Sequence, residues 1–366
     1  MAELESEDYL VYFILGSIIF MIILIQILNA IGRSSYKSNY CSSLEEQWSD
    51  FGKVSSVDPN NAEYKDFFLR DYYIKTAYNC CALGEFKNTY VSTCQLKNVI
   101  KQGVRCLDFE IYSVNNAPVV AVSSVNSFNV KETYNSLKFD KILKIIRDYA
   151  FSGGNCPNPR DPLIIHLRIK SNNDKICKTM AENIKDVFQP TGRLLGREYS
   201  YENYGTNLGK TPFKDIFGKI VIIVDKTNTS FENTDLEEYV NLASNSVFMR
   251  ALRNYDVEFT PNPKELTNFN KKHMTFTMPD LSSDDKQPNV QIHSQYGCQM
   301  IGMCYQNVDE NLKYYENIFA NKGSAFVLKP SSLRYKPVMI DAPRQQTENV
   351  SYKERTKESD YYQFTL

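Results

Sequence analysis

The sequence predicts a TIM-type (β/α)8 barrel carried behind a single N-terminal transmembrane helix. Two observations lead there. A charge-free apolar run lies near the start of the chain, and short apolar segments then alternate with amphipathic ones. Such alternation argues for parallel strands joined by crossover helices, and eight strand candidates in one block suit a closed barrel.

Bulk composition narrows the partners. The 366 residues carry 42 basic against 43 acidic side chains, so the chain has no strong field and nucleic acid is not an expected partner. Histidine is scarce: His166, His273 and His293 must supply any mechanism that needs two imidazoles. The nine cysteines show neither CxxC pairs nor zinc-ligand spacing, and adjacent Cys80 and Cys81 make a poor disulfide. They read as mostly free, buried thiols in a reducing compartment.

Residues 1–10 form an acidic start. Residues 11–31, "VYFILGSIIFMIILIQILNAI", are long enough at about 1.5 Å per residue to cross a hydrocarbon layer about 30 Å thick. A cleaved signal peptide wants a basic start and a shorter apolar stretch, so an anchor is expected. Arg33 and Lys37 just beyond it place the barrel on the cytosolic side of a single-pass membrane protein. Glycosylation-like triplets at Asn228 and Asn349 point weakly the other way. Residues 32–65 are polar and aperiodic and read as a tether, with a short helix near Leu44 to Phe51.

The strand candidates are "DYYIKTAY", "RCLDFEIY", "APVVAV", "DPLIIHLRI", "GKIVIIVDK", "NSVFMRAL", "GCQMIGMCYQ" and "SAFVLKP". "TCQLKNVIKQG", "FDKILKIIRDYAF", "KICKTMAENIKDVF" and "ENLKYYENIFA" have the spacing of helices that cover a sheet. Residues 341–366 are charged and read as a mobile tail. In a barrel, function sits where strands end in loops that lead to helices. The residues there are Tyr78 and Asn79, Asp108 and Glu110, Val122 to Ser124, and His166 with Arg168. Polar groups aimed into such a core are expensive unless paired, so Asp108, Glu110 and Arg168 need a joint explanation.

These segments resemble the X and Y catalytic regions of phosphoinositide-specific phospholipase C. "RDYYIKTAYNCCAL" is similar to that family's strand ending in Ser-His-Asn-Thr-Tyr-Leu, and "KQGVRCLDFEIY" to its Gly-Cys-Arg-Cys-Val-Glu-Leu-Asp segment. "GCQMIGMCYQN" and "AFVLKPSSLRY" resemble Gly-Cys-Gln-Met-Val-Ala-Leu-Asn-Phe-Gln and Gly-Tyr-Val-Leu-Lys-Pro-Glu-Phe-Leu-Arg. The similarity implies a phospholipase C-type barrel with an X-like half over 66–226 and a Y-like half over 227–340. It also implies hydrolysis of a phosphatidylinositol phosphodiester by two histidines, with calcium held by an Asn and three carboxylates. The lysine-, asparagine-, isoleucine- and tyrosine-rich composition would suit a large DNA virus.

Carried over by position, the first catalytic histidine falls on Tyr78 and the second on Val122. The calcium ligands fall on Asn79, Asp108 and Glu110, and the last carboxylate falls on Arg168. The phosphate-binding lysines fall on Ile223 and Asp225, with Lys226 close by. The substrate-binding Arg and stacking Tyr are matched by Arg253 and Tyr255, for which functional and structural roles are balanced. A phenol with a pKa of about 10 is a poor base at neutral pH, and valine transfers no proton. Arg168 repels a divalent ion and pairs instead with Asp108 or Glu110, a structural network rather than a pocket. His166 reads as a satisfied core histidine, and Cys80 and Cys81 as packing residues.

Two readings follow. In the first, the protein is a membrane-anchored, catalytically impaired phospholipase C-like protein that binds a phosphoinositide headgroup or a protein partner. In the second, it is a diverged phosphodiesterase in which Arg168 replaces calcium through its bidentate donors. No cofactor is expected, and calcium is the alternative that the remnant shell leaves open.

Overall fold

The computed structural model describes residues 2–201, 207–337 and 353–365. Helix α1 (Ala2–Gln47) is unbroken. Its segment Val11–Asn29, mean hydropathy 2.7 and unburied, is long and apolar enough to cross a membrane or to act as a signal sequence.

The polar stretch 32–65 differs from a tether. The helix runs on into it as far as Gln47, and Cys41, Leu44 and Trp48 recur at helical spacing and are buried against the barrel. Trp48 meets Tyr305 edge-on with ring centroids 5.7 Å apart, and Cys41 is disulfide-bonded to Cys94. Val54 and Val57 follow into the same core. Three apolar residues in a polar run were too sparse to register as a stripe. The short helix expected near Leu44 is the end of α1 and a 3-10 turn over Trp48–Asp50.

The remaining elements of the main unit are α2 (Ala62–Lys65), β1 (Tyr72–Ile74), β2 (Thr76–Ala77), α3 (Thr93–Lys101), β3 (Cys106–Val114), β4 (Ala117–Ala121), β5 (Leu137–Lys138), α4 (Phe139–Tyr149), β6 (Leu163–Ile169), α5 (Asp174–Phe188), β7 (Ile220–Asp225), β8 (Leu242–Ser244), β9 (Met249–Arg253), α6 (Asn254–Glu258), α7 (Pro263–Lys272), β10 (Met274–Met278), α8 (Val290–Gln295), β11 (Met300–Ile301), α9 (Glu310–Ala320) and β12 (Phe326–Leu328). Parallel ladders run β2–β3–β6–β7–β8 and β9–β10–β11–β1. The two arcs join at β1 and β2, a strand interrupted at Lys75, whose buried ammonium lies 2.6 Å from Glu316. Among the described residues no ladder joins β8 to β9.

Two of the eight strand candidates lie outside the parallel arcs. β4 folds back antiparallel on β3 through Asn115 and Asn116, both at positive φ (53° and 59°), the backbone that a tight two-residue hairpin requires. β12 pairs antiparallel with β1. Their places are taken by β8 and β10. β8 has three residues, and β10 carries Thr275 and Thr277, whose hydroxyls are buried and hydrogen-bonded. The helices read from spacing are present. In α5, Ile176, Met180, Ile184 and Val187 face the core, and Asn173 caps the helix by accepting from the Lys175 amide.

Residues 335–366 form a second compact unit. Its described part is an exposed hairpin of β13 (Thr356–Ser359) and β14 (Tyr362–Thr365). Asn349 lies outside the described residues, as do the side chains of Arg33 and Lys37.

Candidate functional site

Strand alternation and register assemble the site. Asp108 and Glu110 share one face of β3, His166 and Arg168 share one face of β6, and the ladder sets Asp108 opposite His166 and Glu110 opposite Arg168. β2 delivers Tyr78 and Asn79 to the same level. Asn79 sits at φ 45°, a conformation asparagine tolerates better than most residues, and its amide donates to Asp108 Oδ2 at 3.1 Å.

Arg168 fills the centre, and all five of its N–H donors have protein partners. Nε donates to Asp108 Oδ1 (3.0 Å), Nη1 to Glu110 Oε1 (2.6 Å) and Tyr78 Oη (3.1 Å), and Nη2 to Asp108 Oδ2 (2.7 Å) and Asn79 Oδ1 (2.8 Å). The Tyr78 ring covers the guanidinium at 4.4 Å. All five residues are buried.

The charges follow from this packing. Burial opposes ionisation of Asp108, but Arg168 and the His166 hydrogen bond hold it below the usual carboxylate range. Burial likewise opposes the Arg168 charge, and Asp108, Tyr78 and Glu110 raise its pKa well above the ordinary value. Burial pushes the Tyr78 phenol up despite Arg168 and Arg253. At neutral pH the phenol is therefore protonated and accepts from both arginines.

The residues that the family resemblance assigns to calcium do not fit that ion here. Their oxygens converge on a fixed guanidinium, and Glu110 Oε2 accepts from Tyr112 Oη and the Ser123 amide. Among the described residues no cluster of three or more Asp, Glu, His or Cys side chains is arranged to hold a metal. Asn79 Nδ2 is buried without a partner, and it is a donor, suited to an anion or water rather than a cation.

His166 donates or accepts at both ring nitrogens, 2.7 Å from Asp108 Oδ1 and 3.0 Å from Ser244 Oγ. Asp108, His166 and Ser244 thus have the connectivity of a hydrolytic triad. All three are wholly buried and Asp108 is committed to Arg168, so a substrate has no route to Ser244. Val122 is buried just beyond β4. Burial raises the thiol pKa of Cys80 and Cys81, which keeps them unreactive.

Of the other predicted site residues, Arg253 reaches the cluster. Arg253 is half-buried at the end of β9, its Nη1 donating to Tyr78 Oη (3.3 Å) and the Pro279 carbonyl (2.9 Å). Tyr255 is exposed, its ring 4.8 Å from Phe259. Lys226 stands apart from this cluster and pairs with Glu232 (2.8 Å) and Tyr201 Oη (2.9 Å) just past β7. Asn228 is turned inward. Its buried Nδ2 donates to the carbonyls of Ile169 and Ser171, so the folded chain does not present it for glycosylation. Lys170 was missed. It is nearly buried two residues beyond Arg168, bonds Asn126, and its pKa is lowered by burial and by Arg168. Its spacing from Arg168 was the available signal.

Parallel strands with polar side chains gathered where they end define a TIM-type α/β domain. The X domain of phosphatidylinositol-specific phospholipase C matches residues 66–226, and the Y domain matches 219–332. The chain belongs to that family. It is 26% identical over 196 residues to 1-phosphatidylinositol 4,5-bisphosphate phosphodiesterase 1 of Saccharomyces cerevisiae, covering 51% of this chain and 20% of that protein. The crystal structures of PLC21 from L. pealei and S. officinalis superpose with TM-scores of 0.58 and 0.59 at 17% identity, over 74% of this chain and 38% of each of theirs. The chain thus spans a minor part of the length of these relatives, and the structural likeness speaks to fold alone.

Proposed function

We propose that this protein is a membrane-anchored phospholipase C-like protein whose barrel does not hydrolyse phosphodiesters and instead binds an anionic inositol headgroup. The observation that carries this reading is Arg168, whose five donors are all committed within the protein. A hydrolase using Arg168 in place of calcium would need donors free for phosphoryl oxygens, so the second reading is disfavoured. Tyr78, a protonated phenol, and Val122 offer no base and acid poised near neutrality.

Binding rests on what surrounds the plug. Arg253 is a half-buried donor at the mouth, with Lys170 and the unpartnered Asn79 Nδ2 buried beneath it. Val125, Val130, Phe259 and Leu281 on loops and Tyr255 in α6 are exposed apolar side chains at the same end, a rim that suits a lipid surface. Anchoring rests on Val11–Asn29, and the cytosolic orientation on Arg33 and Lys37.

The test is inositol phosphate release from phosphatidylinositol vesicles by the full chain, in calcium and in chelator, with vesicle binding measured in parallel. Binding without turnover, weakened in Arg253→Ala and Lys170→Ala, supports the reading. Turnover above the vesicle blank that is lost in Tyr78→Phe would overturn it.

A further inference from the structure

α1 docks along the barrel from mouth to base. At Tyr40 its hydroxyl donates to the carbonyl of Gln306, in the loop after β11, and Gln306 in turn bonds Gly84 in the loop after β2. Both loops follow strand C-termini and belong to the mouth. Cys41 is bonded to Cys94 in the first turn of α3, the mouth end of that helix. Glu45 pairs at 2.7 Å with Lys101 in the last turn of α3, at the base. Trp48 lines a cavity of about 390 Å³ with Gln102 and residues 153–157, in loops that lead into strands. Val57 bonds Asp161 in another base loop.

The direction has a consequence for the apolar segment. Tyr40 to Trp48 spans about 12 Å down the barrel wall at 1.5 Å per residue. Everything N-terminal to Tyr40 therefore projects past the mouth, not past the base. From Asn29 to Tyr40 the helix is unbroken and covers about 16 Å, the scale of a lipid headgroup layer plus a surface loop.

We propose that α1 is a rigid strut that faces the candidate site onto the same bilayer its apolar segment crosses, so that the exposed rim is covered by that lipid surface in cis. The proposal rests on reading Val11–Asn29 as a membrane span. A flexible tether would let the mouth sample every orientation within its reach. A helix fixed at Tyr40, Cys41, Glu45 and Trp48 holds one. The rim residues Val125, Val130, Tyr255, Phe259 and Leu281 lie at that same end, and insertion of apolar side chains at the acyl boundary is the chemistry that would cover them.

The experiment uses the full chain in vesicles of phosphatidylcholine and phosphatidylinositol that carry a headgroup-labelled acceptor lipid. A donor dye is placed at the mouth with Leu281→Cys or at the base with Lys322→Cys. The free cysteines Cys80, Cys81, Cys106, Cys156, Cys177, Cys298 and Cys304 are all buried, so the new thiol takes the dye. Buried Trp48 emission confirms that each variant is folded. The mouth dye should be quenched more than the base dye, and a Gly/Ser spacer inserted between Gly32 and Arg33 should abolish the difference. Equal quenching in the parent chain, or a difference that survives the spacer, overturns the strut. Flotation separates the two levels: a chain that does not float with vesicles overturns the anchor reading and the strut together. A chain that floats without a mouth-to-base difference overturns the strut alone.

Discussion

Replacing Arg168 by methionine tests the plug directly. Methionine keeps much of the volume but removes all five donors, leaving Asp108 and Glu110 buried side by side. Breaking a buried ion pair by deleting one partner costs about 3–5 kcal/mol. Asp108 keeps His166 and the Asn79 amide, and Glu110 keeps Tyr112 and the Ser123 amide, so neither carboxylate is wholly orphaned. We therefore expect about 4 kcal/mol, a large share of the roughly 5–15 kcal/mol that holds an ordinary domain together. The sign with pH is distinctive. In the parent, Asp108 is held below its unfolded pKa and contributes stability above that value, which is lost as pH falls through the folded pKa. Without Arg168, burial favours the protonated form of Asp108, so the deficit is largest at neutral pH and shrinks on acidification. Urea unfolding of the full chain in detergent, followed by emission of Trp48, the one tryptophan in the sequence, reads both effects. The triple variant Arg168→Met, Asp108→Asn, Glu110→Gln should recover most of the loss. A single-variant cost under about 1 kcal/mol, the level of an exposed pair, would refute a tightly coupled plug.

Two further outcomes follow from the same geometry. Arg168→Glu places a third carboxylate beside Asp108, Glu110 and Asn79 Oδ1, so the variant should melt lower than the parent in chelator and gain stability from calcium, about 2.7 kcal/mol at a hundredfold excess over its Kd. Thermal melts in chelator and in calcium check this, and an equal calcium shift in the parent would sink it. Burial pushes His293 down to about 4 from its ordinary value, with Nε2 donating to Asn254 Oδ1 and Nδ1 accepting from Thr277. Because the unfolded state binds the proton more readily, its contribution is full above about pH 6.5 and is lost as pH falls towards 4. Urea midpoints across that window should drop in the parent and flatten in His293→Gln, and identical profiles would exclude His293 as the source.

The sequence made β3 and β6 legible because each is a continuous apolar run with polar residues at every second position of one face. That alternation grouped Asp108 with Glu110 and His166 with Arg168 before any contact was known. It could not supply register, and register decides the chemistry: Glu110 opposite Arg168 consumes donors that a shift of two residues would leave free. Strand direction was hidden for β12. For β4 it was readable, since Asn115-Asn116 between two apolar runs is a hairpin signal. β10 was missed because its buried threonines satisfy their hydroxyls through tertiary partners that composition does not reveal. The Glu232 partner of Lys226 was equally hidden, since closeness in sequence to a motif position says nothing about which way a residue past the strand end will turn.

What the register produces is one packing unit. Two acids side by side in a dry core require a cation, and Arg168 supplies it from the adjacent strand with a donor for each facing oxygen. A bare guanidinium in that position would still expose one face, and the Tyr78 ring covers it at 4.4 Å while its hydroxyl takes a donor from Arg168 and another from Arg253. An imidazole at 78 that gained a proton would add a second positive charge beside Arg168, and a carboxylate at 168 would leave the acids unpaired. The phenol and the guanidinium therefore support each other, and a histidine at 78 or a carboxylate at 168 alone should destabilise the barrel.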